Sequence, residues 1–126
     1  MMLLALALAL AQAAVPTQAD EVTVIGQRLG TWRGSFRSAG GKTTCRTRQS
    51  SGDAEVDAIG CAALVECAGP AQPRVIALAR DKALAPAARK QAQAKLNDEL
   101  GRCMVTRRDA LIAELADRRY AKRFGS

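Results

Sequence analysis

Residues 31–53 read TWRGSFRSAGGKTTCRTRQSSGD, and this stretch decides the fold of the N-terminal half. Two runs within it alternate between cationic residues and small or apolar ones, which is the period-two pattern of β-strands. Gly40 and Gly41 separate the runs and tolerate positive φ, so they predict a tight hairpin turn. Asp53 follows a Ser-Ser-Gly break and predicts the N-cap of a helix. The stretch therefore predicts an antiparallel hairpin that leads directly into a helix.

The two faces of this predicted hairpin carry different chemistry. Trp32, Phe36 and Cys45 are expected to face the core, whereas the opposite face is expected to expose the cations of both strands. That cationic face is the candidate anion-binding site, because clustered cations attract anionic polymers in a salt-dependent way. The alternative interpretation is a basic surface that only keeps the protein soluble. The candidate residues are Arg33, Arg37, Lys42, Arg46 and Arg48.

A third strand is predicted upstream of the hairpin. Residues 21–25 read EVTVI, a short β-branched run that Gly26 closes. We expect this run to form an edge strand, so that the small N-terminal sheet has about three strands.

Helical patterns dominate the rest of the chain. A first helix is expected from Asp53 to a stop at Gly69 and Pro70, and a second is expected over residues 73–84. A third begins at Pro86, which suits the first turn of a helix. The sequence therefore predicts an α+β fold in which the antiparallel sheet is followed by three or four helices and stapled by two disulfides.

The last helical segment is long enough to predict a break within it. A single helix from Pro86 to Arg119 would measure about 51 Å at 1.5 Å per residue. Gly101 and a capping box from Thr106 to Asp109 favour a break between them. The segment ends in a basic tail, which consists of Arg118, Arg119, Lys122 and Arg123.

The N-terminus has the pattern of a secretory leader. Residues 1–15 are apolar apart from one glutamine, and this run is shorter than the ~20 residues that span a bilayer. Small residues allow cleavage after Ala13 or Ala19, and we favour Ala19. The predicted organisation is a signal peptide of residues 1–19 and a single domain of residues 20–126. The mature protein is expected to be periplasmic or secreted, with no transmembrane span.

The four cysteines predict two disulfides, because an even count in a short exported chain usually forms a covalent framework. No C-x-x-C motif is present, which argues against a zinc site or a redox dithiol. Cys61 and Cys67 lie on one predicted helix about 9 Å apart, beyond the ~7 Å limit for a disulfide. Two pairings remain. Cys67 ends that helix where the chain turns towards Cys103, so Cys45–Cys61 with Cys67–Cys103 is favoured over Cys45–Cys67 with Cys61–Cys103.

Composition excludes several classes of function. The chain lacks histidine, which removes Ser-His and Cys-His catalysis and His-ligated metals. Its four aromatic residues are too few for a base-stacking platform, so nucleic acid is not an expected partner. The acids Asp53, Glu55 and Asp57 fall at a helix start, where they complement the dipole. We therefore predict no catalytic residue, no metal and no cofactor.

One stretch resembles a known family. Residues 45–64 read CRTRQSSGDAEVDAIGCAAL and resemble the strand, Ser-Ser-Gly turn and helix start of the C-terminal domain of TonB-type energy transducers. This resemblance covers about 20 of 126 residues and implies a local fold but no activity. Residues 21–26 are also similar to the TonB-box segment of outer-membrane receptors. The whole chain resembles small four-cysteine exported proteins of proteobacteria, which implies a compartment.

These observations predict a non-catalytic accessory or interaction protein of the bacterial envelope. Its net charge of +7 indicates an anionic partner, either an envelope protein or another anionic envelope component. The alternatives are an envelope hydrolase that uses carboxylates and a secreted cationic effector. Two convergent acids in a cleft would favour the hydrolase, and a large apolar face beside the cationic one would favour the effector.

Overall fold

The structure, a computed structural model that describes residues 16–125, has an α+β fold. Most of the predicted signal peptide, residues 1–15, lies outside the described residues. The elements in chain order are α1 (Gln18–Leu29), β1 (Arg33–Ala39), β2 (Lys42–Gln49), α2 (Ala54–Arg80) and α3 (Pro86–Phe124).

The predicted hairpin is confirmed. Strands β1 and β2 pair antiparallel, with Phe36 opposite Cys45, and in the described part of the chain they form a sheet of two strands. Gly40 and Gly41 form the turn at φ values of 58° and 75°, which residues with a side chain rarely adopt. The ladder is irregular between Arg33 and Gly34, at the end of the hairpin far from the turn.

The predicted third strand is wrong, because residues 21–25 lie within helix α1. Thr17 caps this helix: its hydroxyl accepts from the Asp20 amide, and the Asp20 carboxylate accepts from the Thr17 amide. Glu21, Ile25 and Leu29 recur every four residues and are all buried on one side of α1. The cap and this buried side outweigh the β-preference of the valines and the isoleucine.

The predicted helix stop at Gly69 and Pro70 is also wrong, since α2 runs through Pro70 and Pro73 to Arg80. Residues 73–84 are therefore not a separate helix. Each proline removes one backbone hydrogen bond from the helix interior. Contacts with α3 hold the helix on both sides of the prolines, through the Cys67–Cys103 disulfide before them and the Arg74–Glu99 ion pair after them.

Helix α3 begins at Pro86 as predicted, but the break expected between Gly101 and Thr106 is absent. The helix continues for 39 residues, a length of about 58 Å at 1.5 Å per residue. The Cys67–Cys103 disulfide and an ion pair between Arg107 and Glu66 fasten this part of α3 to the antiparallel helix α2. Thr106 and Asp109, the residues of the predicted capping box, therefore lie inside a continuous helix that α2 supports.

The core is centred on Trp32, which is 4% exposed and lies just before β1. Its indole ring fits between two glycines, because a Cβ atom added to Gly34 or Gly60 would fall 2.3 Å or 2.5 Å from ring atoms. The indole Nε1 donates to Thr47 Oγ1 at 3.0 Å. The buried core comprises Ile25, Leu29, Trp32, Val56, Ile59, Ile112, Leu115 and Ala116.

Two disulfides join the hairpin and the helices. Cys45 is bonded to Cys61, with Cα atoms 5.5 Å apart, and Cys67 is bonded to Cys103, with Cα atoms 5.8 Å apart. These are the pairs that the sequence favours. Helix α2 is the common partner, since one bond ties it to β2 and the other ties it to α3.

Candidate anion-binding site

The candidate site lies on the face of the hairpin that points away from α2. Side chains alternate along each strand, and the opposite alternation carries Cys45 towards Cys61 of α2. Arg37, Arg46 and Arg48 are exposed and line one shallow concavity of about 340 Å³. We call these three residues the arginine face. The remaining lining residues are Ser35, Phe36, Thr44 and Cys45.

The other two predicted site residues do not line this concavity. The guanidinium of Arg33 turns back towards the end of α1 and donates to the carbonyl oxygens of Gly30 and Trp32, at 3.1 Å and 3.0 Å. Lys42 lies beside the turn, opposite Ala39. The structure therefore brings three of the five predicted cations together and leaves two at the ends of the hairpin.

Ser35 orients one of the guanidiniums, although it is not among the site residues that the sequence predicts. Its hydroxyl accepts from Arg48 Nε at 3.0 Å, and its backbone lies opposite Arg46. Thr47 is opposite Gly34 and Gln49 is opposite Arg33, so Arg48 is the extra residue of the irregular ladder. The sequence carries a signal for Ser35, because it lies between Arg33 and Arg37 on the strand face that is expected to be exposed.

The hairpin contains no acid, and its charge is not neutralised locally. Residues 33–49 include five cations and neither aspartate nor glutamate. In residues 16–125, no salt bridge joins any of these five cations to a carboxylate. The arginines that do pair with acids lie elsewhere: Arg28, Arg74, Arg102, Arg107, Arg119 and Arg123.

The predicted basic tail is the end of α3, and two of its arginines hold structural ion pairs. Arg119 donates to Asp53 and Glu55, and Arg123 donates to the buried Glu21. Partial burial acts to raise the pKa of the Asp53 carboxyl, but hydrogen bonds from Arg119 and the α2 amides outweigh it and lower the pKa. These contacts bind the start of α2 and α1 to α3.

The third acid at the start of α2 is also engaged. Asp57 accepts from the hydroxyls of Ser50 and Ser51 and from the Ser51 amide, and these hydrogen bonds lower the pKa of its carboxyl. The three acids of this helix start therefore fasten the loop between β2 and α2 and the end of α3.

Comparison with known proteins found no matching family model, no matching curated protein and no matching solved structure. None of the helices within residues 16–125 is long and apolar enough to span a membrane. The same residues contain no group of three or more side chains that could together hold a metal ion.

Proposed function

We propose that this chain is a non-catalytic accessory or interaction protein of the bacterial envelope that binds an anionic partner on its arginine face. The observation that carries the proposal is the convergence of Arg37, Arg46 and Arg48 on one concavity, with no carboxylate of residues 16–125 paired to any of them. The two disulfides support an oxidising compartment.

The chemistry of arginine supports an anion as the partner. A guanidinium stays charged at every physiological pH, and its planar set of donors matches the oxygens of phosphate and carboxylate groups. Arg46 and Arg48 line the same concavity, and Arg48 donates to Ser35, the residue opposite Arg46. The face therefore presents several anion contacts side by side, and a partner with repeated negative charges fits it best.

The position of the face on the fold supports binding as well. Cys45 precedes Arg46 in β2, and its disulfide to Cys61 fixes this strand to α2. A rigid support reduces the conformational entropy that binding would otherwise remove. The arginine side chains themselves are exposed, so their attraction to an anion is screened by salt over a Debye length of about 8 Å at physiological ionic strength.

The test is binding of the mature chain to immobilised dextran sulfate at low and at physiological salt. The variant Arg37→Glu/Arg46→Glu reverses two charges on the face. The control Lys82→Glu/Lys90→Glu makes the same change in net charge at two exposed positions outside the hairpin. We expect the face variant to lose at least about tenfold in affinity, and the control to lose much less.

Two results would contradict the proposal. Equal losses in the face variant and the control would show that only net charge matters, which is the solubility interpretation. Binding that does not weaken between low and physiological salt would exclude exposed guanidiniums as its source.

A further inference from the structure

An aromatic side chain is exposed beside the arginine face. Phe36 is 44% exposed, although its position opposite Cys45 puts it on the face that was expected to be buried. The residue borders the concavity that the three arginines form, but its side chain leaves β1 on the face opposite to Arg37. The prediction that Phe36 lies in the core is therefore wrong, because the ring is exposed on the face of β1 opposite to Arg37.

The exposure of Phe36 follows from the position of β1. Strand β2 is bonded to α2 through the Cys45–Cys61 disulfide. The Thr47 hydroxyl of the same strand accepts from Trp32 Nε1 and hydrogen-bonds Cys61 Sγ. Strand β1 pairs with β2 along one edge, and in residues 16–125 no other strand pairs with its second edge. The free edge of β1 therefore presents Phe36 on one side of the strand and Arg37 on the other.

This arrangement fits a surface that is apolar inside and anionic outside. We propose that the free edge of β1 docks on an anionic lipid surface, with the Phe36 ring in the interfacial layer and the arginine face on the lipid phosphates. The inference rests on the proposed function and deepens it, because it names the anionic partner as a phospholipid headgroup layer.

The side chains can reach both layers at once. Aromatic rings settle at the boundary between headgroups and acyl chains, whereas arginine extends its aliphatic stem and keeps its guanidinium among the phosphates. Arg46 and Arg48 lie one strand further from the surface than Arg37, about 4.8 Å, which is within the length of an arginine side chain. The hairpin can therefore lie with its β1 edge down and still use all three guanidiniums.

A lipid layer also fits the charge distribution better than a folded acidic protein does. Every ionisable residue of the hairpin is a cation, so a layer of repeated negative charges meets no repulsion at any position along residues 33–49. Each cation that approaches an anionic membrane strengthens binding by about fivefold. Arg33 and Lys42, at the two ends of the hairpin, add to this attraction without entering the concavity.

The experiment measures binding of the mature chain to vesicles that contain equal parts of phosphatidylglycerol and phosphatidylcholine. Pure phosphatidylcholine vesicles are the lipid control. We expect binding to the anionic vesicles only, and weaker binding at physiological salt than at low salt. In a Phe36→Trp variant, the added emission should shift to the blue when anionic vesicles bind, because the ring leaves water. Trp32 of the parent chain is already buried and should not respond.

Matched variants separate the contribution of the ring from that of general hydrophobicity. Phe36→Ser should weaken vesicle binding by about fivefold, since burial of half an aromatic ring is lost. Val105→Ser removes an exposed apolar side chain on α3, 61% exposed, and should change vesicle binding little. Equal effects of these two substitutions would overturn the docking geometry. An emission of the Phe36→Trp variant that does not shift on bound vesicles would overturn it as well.

The outcomes distinguish the inference from the function on which it rests. A chain that binds dextran sulfate through the arginine face but not anionic vesicles would keep the proposed function and overturn the lipid inference. Soluble inositol hexakisphosphate that binds as tightly as the vesicles, with no effect of Phe36→Ser, would show that the ligand is a free phosphate. Failure of both dextran sulfate and vesicle binding would overturn both proposals.

Discussion

Arg48 and Ser35 join the two strands of the hairpin by a hydrogen bond from Nε to Oγ of 3.0 Å. The bond leaves the terminal nitrogens of Arg48 available and fixes the direction of its guanidinium on the outer face. Ser35 is therefore a positioning residue of the proposed site, and its contribution can be separated from that of charge.

We predict that Ser35→Ala weakens binding to dextran sulfate by a factor of about 2–5, because Arg48 must then lose side-chain freedom on binding. The dependence of affinity on salt should keep its slope, since the number of cations is unchanged. Ser38→Ala is the control: the Ser38 hydroxyl bonds to Thr43 Oγ1 at 2.8 Å, outside the concavity. A loss in Ser38→Ala as large as that in Ser35→Ala would contradict the positioning role.

Two helical glycines should respond in opposite ways to replacement by alanine, because Gly60 packs against the Trp32 ring and Gly101 faces open space. Gly60→Ala places a Cβ atom against the indole ring and should destabilise the protein by ~1–3 kcal/mol through overpacking. Gly101→Ala meets open space on α3 and should stabilise the protein by ~0.5–1 kcal/mol through helix propensity. Urea unfolding of the two variants checks both signs. A neutral or stabilising effect of Gly60→Ala would show that the Trp32 ring does not pack against Gly60.

The free energy of unfolding should fall at acid pH because Asp53 and Asp57 become protonated. Hydrogen bonds that favour the ionised forms hold the pKa of both carboxyls below their ordinary value, although partial burial opposes this. A carboxyl whose pKa is depressed by folding contributes stability that is fully present above its unfolded pKa, near 4, and is lost as the pH falls through the folded pKa.

Urea midpoints measured from neutral pH down to about pH 2 should show this loss begin near pH 5. Asp53→Asn keeps a capping oxygen but loses the charge that faces Arg28 and Arg119, so its midpoint should depend less on pH. An unchanged acid profile in Asp53→Asn would assign the loss to other carboxyls.

If the predicted leader is removed, the start of α1 makes the cleavage position measurable through the stability of the remaining chain. Cleavage after Ala19 removes Thr17 and with it the capping box, whereas cleavage after Ala13 keeps both. A chain that begins at Asp20 should therefore be less stable than one that begins at Ala14 by ~1 kcal/mol. Thermal unfolding of the two chains tests this, and equal midpoints would show that the cap contributes nothing. The intact mass of the protein recovered from cells identifies which chain is made.

The sequence predicted the elements whose local signals agree with the tertiary structure. The hairpin followed from alternation and the glycine pair, and the Asp53 cap followed from the Ser-Ser-Gly break. The strand predicted for residues 21–25 was wrong because the strand preference of β-branched residues is weak compared with the burial of Ile25 in the core. The helix end predicted at Gly69 and Pro70 was wrong for a related reason. Contacts with α3 overcome the break that the prolines favour, and these contacts cannot be predicted from the local sequence.

Strand alternation predicted only part of the candidate site. Alternation placed Arg37, Arg46 and Arg48 on the outer face, but it also included Arg33, whose guanidinium bonds to carbonyls at the end of α1. The exposure of Phe36 could not be predicted either, because it depends on the position of β1 in the folded protein. Both differences arise from tertiary packing and not from the periodicity of the strand.

Binding of an anion to the arginine face can be tested by titrating the ¹⁵N-labelled protein with dextran sulfate. The arginine Nε–Hε signals report each side chain separately. We expect the largest shifts at Arg37, Arg46 and Arg48, and little change at the ion-paired Arg119 and Arg123. Shifts that are largest at the end of α3, or that spread evenly over all arginines, would contradict it.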